Sequence, residues 1–181
     1  PNIEQHHVVN HLDGSEMDEK RNVLVESARI ARGNIQPLES VLATDFDALA
    51  ILGGFGAAKN FSDWAFKGPE GTILPEIKLF LVNMINVGKP VCALCVSPVV
   101  LAKALEDTTL NPKLTLGTDQ EASPYDINGF HQGIESVGAK GVNKGISDVQ
   151  IDHENRIVSA PCYMLDTDIV SIRKNIQLAV E

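Results

Sequence analysis

A cysteine stands where a predicted strand turns into a predicted helix. The apolar run at residues 90–94 ends directly before Cys95, and Pro98 opens a helical pattern that continues to residue 105. A side chain on such a turn is raised above the carboxyl edge of the sheet, where open α/β folds bind their ligands. The N-terminus of the following helix carries a partial positive charge, which stabilises a thiolate. The pattern therefore indicates a nucleophilic Cys95, with a buried core cysteine as the alternative.

A second group of residues able to do chemistry is the glycine-rich stretch 53–60, which follows an apolar run at 47–52. Its first two glycines can adopt backbone conformations that other residues avoid. We expect the amides of Gly54 and Phe55, together with that of Val96, to form an oxyanion hole facing Cys95. A plain tight turn is the alternative. A phosphate-binding loop is disfavoured, since the glycine spacing fits neither the dinucleotide-binding motif nor the P-loop.

The other cysteines and the histidines form no recognisable metal motif. Cys92 precedes Cys95 by three positions on the predicted strand, so their side chains point to opposite faces of it. No second cysteine or histidine pair follows at the spacing of a zinc site. Cys162 is expected to pack near the mouth of the site, with a role as a second thiol left open, and all five histidines are expected in surface or capping positions. We predict no metal and no cofactor.

The amino-acid composition limits the classes of protein to which the chain can belong. The chain has 181 residues with 15 Lys+Arg, 24 Asp+Glu and a formal net charge of −9, and 44% of its residues are hydrophobic. This apolar content is typical of a globular chain and excludes disorder. The acidic balance disfavours a nucleic-acid partner. No apolar run approaches the roughly 18 residues of a membrane span, so no membrane partner is predicted.

Apolar runs and helical periodicity alternate along the chain. The pattern predicts strands at 3–10, 47–52, 90–94 and 114–117, a hairpin of 149–153 with 156–160, and helices at 17–32, 74–87, 98–105, 126–137 and 168–180. Such alternation is typical of a three-layer α/β sandwich with a mostly parallel sheet. We expect a single domain over 1–181. No strongly apolar strand precedes the first predicted helix, so the first βα unit is expected to be absent from the chain.

Several of these stretches together resemble a known family. Residues 53–60 and 95–98 are similar to the PfpI and class I glutamine amidotransferase-like superfamily, and stretches at 10–14, 21–33, 116–118 and 159–164 match its ElbB branch. Members of this branch are called isoprenoid biosynthesis proteins with an amidotransferase-like domain, or enhancing lycopene biosynthesis proteins. The resemblance implies a flavodoxin-like fold, a homodimer and a reactive Cys95.

The resemblance also implies a function. It suggests a cofactor-independent glyoxalase-type enzyme in which Cys95 adds to glyoxal or methylglyoxal, and glycolate or lactate is released. The partner is then a small reactive aldehyde or dicarbonyl. We expect three residues to line the pocket: Asn60 just beyond the glycine turn, Asp119 after a strand end, and Tyr163 in the last matching stretch. The alternative is a non-catalytic redox- or stress-responsive protein, or a binding protein of the same fold, with an ill-defined link to isoprenoid biosynthesis.

The sequence departs from the family pattern at the positions of the acid and base residues that transfer protons. The family's opening strand and glutamate-bearing loop have no counterpart, so the acid/base partner of Cys95 has no position in this chain. Val96 stands where the superfamily's proteases carry a histidine, and residues 161–164 stand where amidotransferases place a His-x-Glu pair. Protease and glutaminase activity are therefore disfavoured. The expected location is the cytoplasm for a bacterial source and the mitochondrion for a eukaryotic one.

Overall fold

The structure is a computed structural model that describes residues 1–181. The chain divides into two compact units, Pro1–Leu42 and Ala43–Glu181, where the sequence predicts one domain. None of the helices has both the length and the apolar character that a membrane span requires.

The first unit contains one helix, α1 (Val23–Ala31). Asn22 caps its N-terminus by accepting the Val25 N–H, so the helix begins later than the predicted 17–32. An N-cap side chain satisfies an amide that the first helical turn leaves without a partner. The predicted strand at 3–10 is wrong, because these residues form only isolated bridges, one of them between Glu4 and Asn22.

The second unit is built around a four-stranded sheet. Its chain contains six strands: β1 (Leu49–Ile51), β2 (Val91–Leu94), β3 (Lys113–Leu114), β4 (Lys140–Gly141), β5 (Gln150–Asp152) and β6 (Ile157–Ala160). The main sheet has the order β1-β2-β6-β5, in which β1, β2 and β6 are parallel and β5 is antiparallel to β6. Because Leu94 is paired with Ala160, the carboxyl ends of β2 and β6 meet at one edge. Strands β3 and β4 form a separate parallel pair.

Helices cover both faces of the main sheet. They are α2 (Phe55–Asn60), α3 (Trp64–Lys67), α4 (Pro75–Asn86), α5 (Pro98–Leu105), α6 (Ile127–Ser136) and α7 (Ile169–Val180). Helix α5 packs against β2 and α4, and every one of its residues is buried. Leu94 and Ala160 join Ile172 of α7 in one apolar cluster, and strand alternation turns Ala93 to the other face. The predicted three-layer, flavodoxin-like α/β fold with a mostly parallel sheet is confirmed.

Four of the five predicted helices lie close to their predicted positions, whereas some of the shortest elements were not predicted. Helix α5 has the predicted bounds, and α4, α6 and α7 each begin one residue after the predicted start. Helices α2 and α3 and strand β4 were not predicted. They span six, four and two residues, which is too short for a clear apolar period.

Asp152 holds the β5–β6 hairpin and ties it to β3. Its buried carboxylate accepts the amides of Glu154 and Asn155 at 3.1 Å, the Asn155 side-chain amide at 2.8 Å and the Lys113 amide at 2.8 Å. Burial pushes the pKa of this carboxyl upward, but these donors outweigh it and lower the pKa below 3.8. The ionised form is therefore the one that stabilises the fold.

We expect Asp152→Ala to lower the free energy of unfolding by about 2 kcal/mol or more at neutral pH, because three backbone amides and the Asn155 side-chain amide lose their acceptor. Asp152→Asn should cost less, since it keeps one acceptor oxygen. The stabilisation by Asp152 is present above pH 3.8 and is lost as the pH falls through the lowered folded pKa. Urea unfolding followed by the fluorescence of the single tryptophan, the buried Trp64, measures these differences. This account would be contradicted if the difference in unfolding free energy between wild type and Asp152→Ala stayed the same at pH values well below the folded pKa.

Candidate functional site

The site is centred on Cys95, which follows the last residue of β2. Its φ is 59°, in the left-handed region that residues other than glycine rarely adopt. The Cys95 N–H donates to the Ala160 carbonyl of β6 at 2.9 Å, and Pro98 opens α5 three residues later. The side chain is half-buried. The backbone therefore makes a sharp strand-to-helix turn that raises the thiol above the sheet edge, as in a nucleophile elbow.

The two glycines after β1 lie against this turn. Gly53 and Gly54 have φ values of 83° and 74°. A Cβ added at Gly53 would lie 2.3 Å from the Leu94 carbonyl oxygen and 3.0 Å from Cys95 Cβ, so the two backbones touch there. Only glycine allows both this approach and this φ. The structure thus places the glycine turn directly against the cysteine turn.

Ser97 fixes the turn to its neighbouring strand. This residue is fully buried, and its hydroxyl lies 3.0 Å from the Ile51 carbonyl of β1 and 2.9 Å from the Leu94 carbonyl of β2. One hydroxyl shared between two strand ends holds the glycine turn and the cysteine turn at a constant separation. The sequence analysis did not single out Ser97, because a serine near a helix start is common.

Three backbone amides near Cys95 have no protein acceptor. They belong to Gly54, the residue before α2; to Phe55, the first residue of α2; and to Val96, which follows the cysteine. Phe55 lies in the first turn of α2, where an amide has no intrahelical partner, and Gly54 and Val96 lie in turns that provide no acceptor, so the three amides are free to bind an anionic oxygen. All three residues line one cavity together with Cys95. The predicted oxyanion-hole residues are therefore brought together, and their function stays a prediction.

The cavity has a volume of about 400 Å³ and is mainly apolar. Its lining comprises Leu52, Gly53, Gly54, Phe55, Leu94, Cys95, Val96, Tyr125, Cys162, Tyr163, Met164 and Ile176. The rings of Phe55 and Tyr125 meet edge to face with centroids 5.7 Å apart. No carboxylate, imidazole or ammonium group is among the lining side chains. This volume suits a small ligand, and the lining excludes charge from its walls.

Of the three predicted pocket residues, only Tyr163 lines the cavity, and its side chain is largely exposed at the mouth. Asn60 lies at the end of α2, where its side-chain amide donates to the Gly56 carbonyl at 2.9 Å. Asp119 is exposed and accepts hydrogen bonds from Gln120 and Asn128. These local partners account for Asn60 and Asp119 without a ligand. Tyr125 and Ile176 line the cavity instead, and no local pattern marks either residue.

A second thiol, that of Cys162, lies in the cavity wall two residues after β6. Its φ is 48°, again left-handed, and only 2% of the residue is exposed. Its backbone N–H donates to Asn175 Oδ1 of α7 at 3.0 Å, and the Asn175 amide in turn donates to the Asp148 carbonyl at 2.8 Å. Burial raises the pKa of the Cys162 thiol to about 12. Cys162 is thus held in place and kept protonated at neutral pH.

The third cysteine, Cys92, points away from the cavity. It lies within β2, and its thiol donates to the Ala179 carbonyl of α7 at 3.8 Å. Burial raises the pKa of this thiol above 9.0. No group of three or more His, Cys, Asp or Glu side chains in the structure is arranged to hold a metal ion.

The fold and the sequence both match known proteins. The crystal structure of an isoprenoid biosynthesis protein with an amidotransferase-like domain from Ehrlichia chaffeensis superimposes with a TM-score of 0.85 at 35% identity, over 99% of this chain and 78% of that one. The mitochondrial ES1 protein homolog of Rattus norvegicus is 34% identical over an alignment of 183 positions, which covers all of this chain and 67% of the relative. The chain belongs to the class I glutamine amidotransferase-like superfamily.

Within this superfamily the chain is an ElbB-like member, as its likeness to the Ehrlichia protein shows. The human mitochondrial protein called glutamine amidotransferase-like class 1 domain-containing protein 3 is 36% identical over an alignment of 178 positions, which covers 97% of this chain and 65% of that protein. The chain thus spans about two thirds of the length of these curated relatives. No protein-family model matches the chain.

We expect Gly53→Ala to disrupt this superfamily member's cysteine turn. The added methyl group would lie 2.3 Å from the Leu94 carbonyl oxygen, so one of the two backbones has to move. The left-handed backbone by itself costs an L-residue about 1 to 2 kcal/mol. The unfolding free energy should therefore fall by at least about 2 kcal/mol, and the rate at which Cys95 reacts with an aromatic disulfide reagent should change.

Gly56→Ala is the matched control. Gly56 lies in the same loop-helix segment, within α2, and a Cβ there meets no atom within 4 Å. Alanine in a helix is more favourable than glycine by about 0.5 to 1 kcal/mol, so this variant should be as stable as the wild type or more stable. Equal behaviour of the two variants would mean that the glycine turn does not constrain the cysteine.

Proposed function

We propose that this chain carries the nucleophile and the oxyanion-binding amides of a glyoxalase-type site for glyoxal or methylglyoxal. One observation carries the proposal: Cys95 has a left-handed backbone at the strand-to-helix turn and opens into the same cavity as the amides of Gly54, Phe55 and Val96. A thiolate there adds to an aldehyde carbon, and the carbonyl oxygen becomes the alkoxide of a hemithioacetal.

The surroundings suit this first step. The alkoxide receives hydrogen bonds from amides that have no other acceptor, and such bonds are stronger in a cavity with apolar walls than in water. A small dicarbonyl needs no charged partner for binding, which agrees with the apolar lining. The later steps move a proton between the two carbons of the former dicarbonyl and hydrolyse the resulting thioester, which releases glycolate or lactate.

A second candidate function rests on the absence of a proton-transfer group from the cavity wall. No carboxylate or imidazole lines the cavity, and Asp119 is engaged by Gln120 and Asn128 outside it. A chain with a nucleophile but no proton carrier binds an aldehyde covalently without turning it over. This favours a non-catalytic stress-responsive or binding protein as the runner-up. Glutaminase and protease activity find no support, because both need a histidine beside the cysteine.

Incubation with methylglyoxal in a phosphine-reduced buffer distinguishes these functions. Lactate formation is followed by NMR, and adducts are followed by intact mass. The enzyme proposal needs a proton-transfer group from outside this cavity wall, so the assay uses full-length protein. We expect its wild type and Cys92→Ser to form lactate, and Cys95→Ser to lose activity on the order of a hundredfold or more, since loss of the nucleophile removes the covalent route. Cys92→Ser is the matched control, because its thiol lies on the same strand but outside the cavity.

The other outcomes are equally informative. A methylglyoxal adduct at Cys95 without lactate would reject the enzyme and support covalent binding. Equal lactate formation by wild type and Cys95→Ser would reject both functions of the thiol.

The cellular setting is part of the proposal. The rat and human relatives are mitochondrial proteins, so we propose a mitochondrial location if the source is eukaryotic and a cytoplasmic one if it is bacterial. We also propose that the chain works as a homodimer. Light scattering coupled to gel filtration tests this directly, since a monomer mass at micromolar concentration would reject it.

A further inference from the structure

Two cysteines follow the ends of neighbouring parallel strands at the same edge of the sheet. Leu94 of β2 and Ala160 of β6 are register partners; Cys95 follows the first by one residue and Cys162 follows the second by two. Both cysteines have left-handed backbones, with φ values of 59° and 48°, and both line the same cavity. The proposed aldehyde chemistry uses only one of the two thiols, so the other has no assigned role.

The two side chains are neighbours. Cys95 packs against the apolar cluster that contains Cys162, and Cys95 is near enough to the Cys162 thiol to act on its pKa. The Cys95 backbone amide donates to the Ala160 carbonyl at 2.9 Å, which holds the two strand ends together. Neighbouring strands lie about 4.8 Å apart, and a disulfide requires Cα atoms within roughly 7 Å, so residues just beyond a register pair are close enough to be bridged.

The structure points to a reversible disulfide between Cys95 and Cys162 that forms when Cys95 is oxidised by a hydroperoxide. This inference does not depend on the aldehyde activity proposed above, although it concerns the same sulfur. The disulfide engages the nucleophile, so an oxidised site cannot add to an aldehyde. The site is thereby switched off under oxidising conditions and restored by a thiol reductant.

The chemistry balances in two steps. In the first, the Cys95 thiolate attacks the terminal oxygen of the hydroperoxide; the O–O bond breaks, the alcohol or water leaves, and Cys95 becomes a sulfenic acid. In the second, the Cys162 sulfur attacks the Cys95 sulfur; the S–OH bond breaks, and water leaves with the proton of the Cys162 thiol. Overall two thiols are oxidised by two electrons, and one hydroperoxide is reduced.

The burial of the two thiols sets the order of these steps. Cys95 is half-buried and opens into the cavity, whereas Cys162 is 2% exposed, so an oxidant in the cavity reaches Cys95 first. A buried, protonated thiol is a poor target for peroxide and remains available as the resolving partner. Cys92 is excluded from this function, because it lies inside β2 beside Val158 and does not line the cavity.

Peptide mapping after limited peroxide treatment tests the inference. The full chain is reduced, freed of reductant, exposed to one equivalent of hydrogen peroxide, alkylated and digested with trypsin without reduction. We expect one cross-link, between the peptide 79–103 and the peptide 157–173, with a mass two hydrogen atoms below the sum of the two. Because Cys92 and Cys95 share a peptide, the digest is repeated on Cys92→Ser, which should keep the cross-link.

Cys162→Ser and Cys162→Ala give the second readout. Without a resolving thiol, the Cys95 sulfenic acid should proceed to the sulfinic acid several-fold faster than in wild type, and reductant should no longer restore the thiol. Sulfinic acid at Cys95 of the wild type with no cross-link would overturn the inference, and so would a cross-link that survives Cys95→Ser. The peptide mapping of the wild type tests the disulfide even if a Cys162 variant fails to fold. Because neither measurement uses methylglyoxal, the result does not depend on the proposed aldehyde activity.

Discussion

The site depends on one strained residue, Cys95, whose left-handed backbone ends β2. A non-glycine residue holds such a conformation only where its surroundings over-determine it. Here the Ala160 carbonyl accepts its amide, the Leu94 carbonyl before it packs on Gly53, and the Ser97 hydroxyl after it joins two strand ends. The fully buried helix α5 anchors the chain beyond the turn. The rigidity of the sheet edge is therefore what keeps a thiol pointing into the cavity.

The same turn decides what chemistry the cavity can carry. Sharp turns leave amides without intrachain acceptors, and Val96, Gly54 and Phe55, which carry such amides, line the same cavity as the cysteine. The walls between them are apolar and aromatic, so an oxyanion formed there has the amides as its main stabilising partners. In the proposed function, these residues account for addition to a carbonyl and stabilisation of the alkoxide. Proton transfer requires a group that the cavity wall does not contain.

Features that depend on adjacent residues could be predicted from the sequence, whereas contacts between distant residues could not. The strand before Cys95 and helix α5 were predictable, because an apolar run and a proline at a helix start are properties of adjacent residues. His131 was expected at the surface and is buried, with its Nε2 accepting the Leu116 amide at 3.2 Å. Its partner is distant in sequence, as Tyr125 and Ile176 are from Cys95. Cavity walls are assembled by tertiary packing. Asn60 was predicted from its place just past the glycine turn and Asp119 from its place after a strand end, and neither lines the cavity.

The three cysteines show how one side chain acquires different chemistry from its position. Cys92 and Cys162 are both in contact with α7 and both have raised pKa values, because burial penalises their charged forms. Cys95 is joined to the same apolar cluster but lies at the cavity rather than beneath the helix. Sequence spacing cannot separate these cases, since Cys92 and Cys95 share one strand and its end. The difference in position comes from the turn. Three residues after Cys92 the chain has left the sheet, so that Cys95 opens into the cavity beside Cys162, whereas the Cys92 thiol bonds to α7.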